Sequence, residues 1–343
     1  MSTELHERVS LCIVPRERWS LSVRSLRQIL DHVPDEIELV YVDGGSPDHI
    51  HRELESIVAE RGGTFIRRDY VLATSEARNL AVAASSGEYL LFCDNDVEVQ
   101  PGFLEALVAC ADETGAGAVG PLIMQGARGD SPIVHIAGGD IEITGDLLEK
   151  NEHAWHWTKI DDVPADALER RPSSQLEFHS ILVRRAIFDD IGPFDEALLS
   201  MADHEDFVLL AAKAGWPLYF EPASRVTYLQ FAPLTVEDRG FWQARWSEDW
   251  NASSLDAFAK KWNIQRDAGW PEYAQRWSSK QRMWWWHKQN KPMTFVGQVL
   301  RKAAMTKPVS RPVRALEERI FCRPGLTELR RREAALERER VAV

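Results

Sequence analysis

The stretch Glu88–Val99, EYLLFCDNDVEV, constrains this chain more than any other. Tyr89 to Cys93 is an uninterrupted apolar run of strand length, and it stops at Asp94-Asn95-Asp96. A run without polar alternation suits a strand covered on both faces, as in a parallel sheet flanked by helices. Carboxylates are too costly to desolvate inside such a sheet, so Asp94 and Asp96 belong where it meets water. In open α/β sheets the carboxyl ends of the strands form the ligand crevice. Two carboxylates one residue apart can share a hard divalent cation, which takes oxygen ligands and keeps phosphate oxygens as partners. The same residues also make an ordinary solvated turn, so the motif alone leaves both readings open.

The chain leading to this stretch alternates strand and helix. Val9–Val14 reads as a buried strand ended by Pro15, followed by a helix over about Ser20–His32. Ile37–Val42 is a second strand closing on Asp43-Gly44-Gly45-Ser46-Pro47-Asp48, a tight turn before a helix that runs to about Arg61. Thr64–Arg67 is a short third strand, and Thr74–Ala84 is a helix that ends near Ser85-Ser86-Gly87. This alternation predicts a parallel sheet with right-handed crossovers. Asp43 is placed to accept hydrogen bonds from a base or ribose, or to serve as a turn carboxylate. Arg78 is either a charge-assisted partner for a diphosphate or a solvated helix residue.

Beyond the Asp-x-Asp turn, Phe103–Glu113 reads as a helix and Gly117–Met124 as a strand. From Gln125 to Gln175 the pattern loosens, with strand-like pieces at Ile133–Ala137 and Asp140–Thr144 and then His153, Trp155, His156 and Trp157. Long irregular segments inside compact domains are commonly functional lids or disordered loops. Aromatic and histidine side chains there suit stacking on a sugar, and Trp155, His179 and His204 are the acceptor-side candidates. Leu176–Arg184 returns to strand character, and Trp216–Phe220 and Ser224–Leu229 are the final strands. Between them, Asp203-His204-Glu205-Asp206 opens a helix stopped by Gly215. Read locally, Asp203 is its N-cap and Asp206 completes an acidic first turn.

Taken in order, the signals carry more than any one alone. Pro15; Asp43-Gly44-Gly45-Ser46-Pro47-Asp48; Ala77-Arg78-Asn79; Ser86-Gly87-Glu88-Tyr89; Asp94-Asn95-Asp96; Arg184-Arg185; Ile191-Gly192-Pro193-Phe194-Asp195-Glu196; Glu205-Asp206; and Ala214-Gly215 follow one another along the chain. This series closely resembles the family 2 glycosyltransferases, inverting enzymes with the GT-A fold, over about residues 8–230. The resemblance implies an α/β, Rossmann-like GT-A domain with a mostly parallel central sheet. It also implies a nucleotide-diphosphate sugar donor, UDP by family habit, a Mg²⁺ or Mn²⁺ cofactor, and a glycan or lipid-linked glycan acceptor. Carried over by residue, it places Pro15, Asp43, Arg78, Asp94, Asn95 and Asp96 at the donor nucleotide. Asp96 and Asp94 become metal ligands, Asp206 the general base, and Glu205 its acidic neighbour and second choice. Two departures stand out. Gly44 replaces a second aspartate, and Arg225-Val226-Thr227-Tyr228-Leu229-Gln230 lacks the metal-binding histidine that many members carry just after the last core strand.

Composition divides the chain at about residue 235, giving a transferase domain over 1–235 and a mainly helical, Trp-rich, basic extension over 236–343. The formal charge of −12 is uneven: residues 1–240 carry −22 and residues 241–343 carry +10. That split argues against a nucleic-acid partner for the main body. Nine of the thirteen tryptophans lie in the extension. Trp242, Trp246 and Trp250 form one helical stripe that predicts packing onto the body. Trp284-Trp285-Trp286, among basic residues, raises a peripheral contact at the inner face of a membrane or with a lipid-linked acceptor, and equally suits an acceptor groove or a subunit contact. Leu329, Leu336 and Val343, seven apart, raise a homodimer contact. The four cysteines have no metal-ligand spacing, MSTELHERVS has no apolar signal region, and no run reaches the ~18 residues of a membrane span. The expected location is cytoplasmic. Two rival functions are a nucleotidyltransferase, which would have no use for a base at Glu205-Asp206, and a degenerate nucleotide-sugar-binding scaffold.

Overall fold

The computed structural model of the protein describes residues 2–128, 131–150, 155–289 and 323–342. Its strands are β1 (Val9–Val14), β2 (Glu38–Gly44), β3 (Thr64–Arg68), β4 (Tyr89–Asp94), β5 (Val97–Val99), β6 (Ala118–Arg128), β7 (Ser131–Ile136), β8 (Ile141–Thr144), β9 (Leu147–Lys150), β10 (Arg171–Pro172), β11 (Ser180–Arg184) and β12 (Leu218–Tyr228). The main sheet runs β10-β12-β6-β11-β4-β1-β2-β3, with β5 added to β12 and β7 to β6. β3, β2, β1 and β4 are mutually parallel, β11 is antiparallel to both β4 and β6, and β6 and β12 are again parallel. β8 and β9 form a separate hairpin.

The period-2 geometry of a strand divides the central residues between two apolar layers. Val9, Leu11 and Ile13 of β1, Leu39 and Tyr41 of β2, and Tyr89, Leu91 and Cys93 of β4 share one cluster. Cys12, Val14, Val40, Val42, Leu90 and Phe92 share the other. Both faces are thus dry, and β4 is buried at every residue, as its unbroken apolar run predicts. The two final strands read from the sequence are one long β12, whose register on β6 shifts between Glu221 and Arg225.

The extension is continuous with these cores. Phe241, Ala244 and Trp250 join the first cluster, while Leu255, Phe258, Ala259, Ile264 and Ala274 join the second. The tryptophan stripe does pack inward, but over two helices, Arg239–Arg245 and Glu248–Trp262, rather than one. Ser247 breaks the stripe by capping the second helix, its hydroxyl oxygen accepting from Trp250 N at 3.4 Å. Ser247→Ala is expected to cost about 1 kcal/mol, read as a lower urea midpoint. Buried ion pairs add to the docking: Arg18 lies 3.5 Å from Asp238, and Arg245 lies 2.8 Å from Glu17. Ser20 N and Oγ both donate to Asp238, at 2.8 and 2.7 Å.

The helix Arg323–Ala342 packs Leu329 and Leu336 against the two cores, so the face expected to meet a second copy is used within the chain. Val343, His153 and the side chains of Trp284, Trp285 and Trp286 lie outside the described residues. Among the described residues, no helix is long and apolar enough to cross a membrane.

Candidate active site

Asp94 ends β4, and Asp96 lies one residue past Asn95 in the turn to β5. Asn95 holds that turn: its Oδ1 accepts from Arg16 N at 2.7 Å, and its Nδ2 donates to Ser22 Oγ at 2.7 Å. Both aspartates are fully buried, and all four of their carboxylate oxygens lack a hydrogen-bond partner among the described residues. Arg16 Nε approaches Asp94 Oδ2 at 3.3 Å. Burial works against the charge on Asp94, but Arg16 and His179 hold its carboxyl below the usual range. Burial and the neighbouring Asp94 push Asp96 well above it. Unpartnered buried carboxylate oxygens are rare in folded proteins and call for a ligand.

His179 joins the pair because of sheet register. Ser180 of β11 faces Cys93 of β4, and the backbone pairing continues with Asp94 N donating to His179 O at 3.0 Å. His179 Nδ1 stands 2.9 Å from Asp94 Oδ2, yet neither atom makes an aligned hydrogen bond. One ligand atom from each of Asp94, Asp96 and His179 lies within 4.8 Å of the others. Those donors, two carboxylates and an imidazole, fit a divalent cation. Behind them, Gln125 Nε2 contacts His135 Nδ1 at 2.8 Å, and His135 Nε2 contacts Glu177 Oε2 at 2.8 Å.

The donor-side candidates divide into two groups. Asp43 is buried at the end of β2, paired with Arg67 and accepting from Ser46 N at 3.3 Å. It lies beside a pocket of ≈ 470 Å³ lined by Trp19, Gly45–Asp48, Arg67 and Asp69, with Glu328, Arg331 and Arg338 of the last helix along its rim. Gly44 is tightly enclosed: a Cβ would lie 3.1 Å from Leu72 N and 3.3 Å from Pro15 Cγ, so an aspartate there would need its neighbours to give by a few tenths of an ångström. Arg78 is turned inward instead, 2.5 Å from Asp203 Oδ2 and stacked 4.2 Å from the Phe178 ring centre. Asp203 therefore anchors Arg78 and Thr74 rather than capping its helix. Ala202 precedes that helix with φ 69°, a sharp entry at which His204 and Glu205 turn toward a second cavity.

That cavity, ≈ 720 Å³, is lined by Arg16, Lys150, Glu177, His179, His204 and Glu205 and by a wall of aromatic side chains. Trp155 and Trp157 come from the irregular segment; Trp246, Trp270, Tyr273 and Trp277 come from the extension. Glu205 Oε1 accepts from Lys150 and pairs with His204 Nε2 at 2.8 Å, while Oε2 is buried without a partner among the described residues. Asp206 points elsewhere. Its oxygens accept from Lys261 Nζ and Trp262 Nε1, each at 2.8 Å, and it is not part of the cavity lining. Glu177, Lys150, Arg16 and Arg245 were not singled out as site residues from sequence, because each reaches the cavity through a different long-range pairing.

Burial opposes charging of His204, but Glu205 and Asp203 push it up to about 9. Raised above its free value of ~6.5, this group contributes stability that is complete below that pH and lost as pH rises through about 9. Stability is expected to fall by on the order of 1–3 kcal/mol over that window. His204→Ala should flatten the slope in urea titrations run at several pH values.

A family model described as glycosyl transferase family 2 matches residues 10–192. An uncharacterised protein of Sinorhizobium fredii is 26% identical over 260 residues, covering 74% of this chain and 27% of its own length. The N-acetylglucosaminyl-diphospho-decaprenol L-rhamnosyltransferase of Mycobacterium tuberculosis is 28% identical over 147 residues, covering 41% of this chain and 47% of its own. Among solved structures, GalNAc-T7 with UDP, GalNAc and Mn2+ superposes with a TM-score of 0.50 at 18% identity, over 83% of this chain and 58% of that one, a likeness of fold. The chain spans about a quarter to a half of the length of these curated relatives.

Proposed function

The chain belongs to glycosyl transferase family 2 and has the GT-A fold, and on that premise we propose a metal-dependent, inverting transfer of a sugar from a nucleotide-diphosphate donor to an acceptor hydroxyl. One observation carries the reading: the four buried carboxylate oxygens of Asp94 and Asp96, unpartnered among the described residues, lie directly behind Arg16 and His179, which line a large aromatic cavity. Asp94 and Asp96 would hold Mg²⁺ or Mn²⁺. A divalent cation bound there neutralises charge on the departing diphosphate. The nucleoside end belongs in the pocket beside Asp43, where UDP is the first donor to try.

Glu205 is the base in this scheme, since it lines the aromatic cavity and its buried Oε2 has no partner among the described residues. The acceptor oxygen bonds to the anomeric carbon as its proton passes to Glu205. The bond from that carbon to the diphosphate breaks, and the nucleoside diphosphate leaves with the electron pair. Attack opposite the leaving group inverts the centre. Trp155, Trp246, Trp270 and Trp277 offer flat apolar faces for sugar rings, which supports a glycan or lipid-linked glycan acceptor.

The test is a panel of uridine, thymidine and guanosine diphosphate sugars with Mn²⁺, followed by melting temperature and nucleotide release. A donor at a hundred times its Kd should add ~2.7 kcal/mol of stability. Release of nucleoside diphosphate with a glycosylated product is the expected result. Release of sugar 1-phosphate, the leaving group when the nucleotidyl group of such a donor is transferred, would identify a nucleotidyltransferase, and binding without turnover of any acceptor would identify a scaffold.

A further inference from the structure

We propose that His179 is the third protein ligand of the divalent cation, and that its nitrogen tilts the site toward Mn²⁺ over Mg²⁺. The inference rests on the metal-dependent reading above. It starts from register: antiparallel partners on one face lie roughly 4.5–5.5 Å apart at Cβ, so the residue opposite Asp94 is held beside it by the backbone. That residue is His179, tied in by the bond from Asp94 N to its carbonyl oxygen.

The ring is also fixed in orientation. Tyr228 of β12 stacks on it with centroids 4.1 Å apart and planes 24° apart. Tyr228 lies in the Arg225–Gln230 stretch, where many family members carry a histidine, and here an imidazole reaches the site from the residue just before β11, beside β4, instead. On the far side of the ring, Nε2 lies 3.8 Å from Glu177 Oε2, and Glu177 is itself held by His135. A carboxylate behind a histidine is the usual support for a metal-bound imidazole, aligning the ring and raising its basicity. Nδ1 faces the other way, 2.9 Å from Asp94 Oδ2 without hydrogen-bond alignment, which two lone pairs aimed at one cation would explain. Imidazole suits first-row transition ions, whereas Mg²⁺ prefers all-oxygen shells.

The experiment is Mn²⁺ and Mg²⁺ binding to the full chain, by calorimetry and by pulsed electron paramagnetic resonance of bound Mn²⁺. The expected spectrum carries modulation from one directly bound ¹⁴N that disappears in His179→Ala and persists in His135→Ala. His179→Ala should weaken Mn²⁺ by about 10–100-fold and Mg²⁺ by much less. Should that variant fail to fold, His179→Asp restores an oxygen donor, and it should bind Mn²⁺ without the ¹⁴N signal. Unchanged Mn²⁺ affinity in His179→Ala, with binding lost in Asp96→Asn, would overturn this assignment and leave the metal reading intact. No binding of either ion to the wild-type protein, with or without UDP, would overturn both.

Discussion

Asp96→Asn is expected to lower sugar transfer by about a thousandfold or more, while leaving the protein as stable as before or more so. The loss follows from what the carboxylate would do: a ligand that positions charge against a leaving diphosphate is worth several kcal/mol, and each 1.36 kcal/mol is tenfold in rate. The stability side has the opposite sign. Burial and Asp94 push the Asp96 carboxyl well above its ordinary range, so ionising it above that range weakens the fold. Asparagine keeps the shape and removes that term at neutral pH. Parallel measurements of nucleoside diphosphate release and of melting temperature check both halves. A variant that lost activity by unfolding would fail the second.

Glu205→Gln carries the second large effect, an expected drop of ~10²–10⁴ in kcat with little change in donor KM. Asp206→Asn is the matched control. Its carboxylate is occupied by Lys261 and Trp262, so its loss should lower the melting temperature while kcat stays within a few-fold. Burial works against the charge on Glu205, but His204 and Lys150 hold its carboxyl below the usual range. The acid limb of the pH–rate profile should therefore lie below that of an ordinary glutamate. If Asp206→Asn abolishes turnover in a stable protein and Glu205→Gln does not, the base assignment reverses.

The central strands were readable because their burial is written locally: the run Tyr89–Cys93 needs no partner to reveal that both its faces are dry. The Asp-x-Asp turn was readable for the same reason, as charge at the end of a buried strand. The resemblance put Asp206 ahead of Glu205, but adjacent helix positions differ by about 100° in direction and the sequence does not say which side faces the cavity. In the structure Glu205 lines that cavity, while Asp206 is held by Lys261 and Trp262, more than fifty positions away. His179 was noticed only as an acceptor-side candidate. Its place beside Asp94 depends on β11 entering the sheet antiparallel next to β4, a long-range choice that no local pattern records. Arg78 shows another limit: its motif pointed to a diphosphate, and the fold buries its guanidinium against Asp203, a partner 125 positions away.

The aromatic wall donated by residues 246–277 has a consequence for synthesis. Glu17 waits for Arg245, the aromatic cavity waits for Trp277, and the pocket beside Asp43 waits for Arg338, so the first two hundred residues to leave the ribosome hold only part of each pocket. At ~5–20 residues per second, the nascent chain spends several seconds in that state before its last wall arrives. An enzyme assembled in that order cannot process an acceptor until its carboxyl-terminal helices have docked.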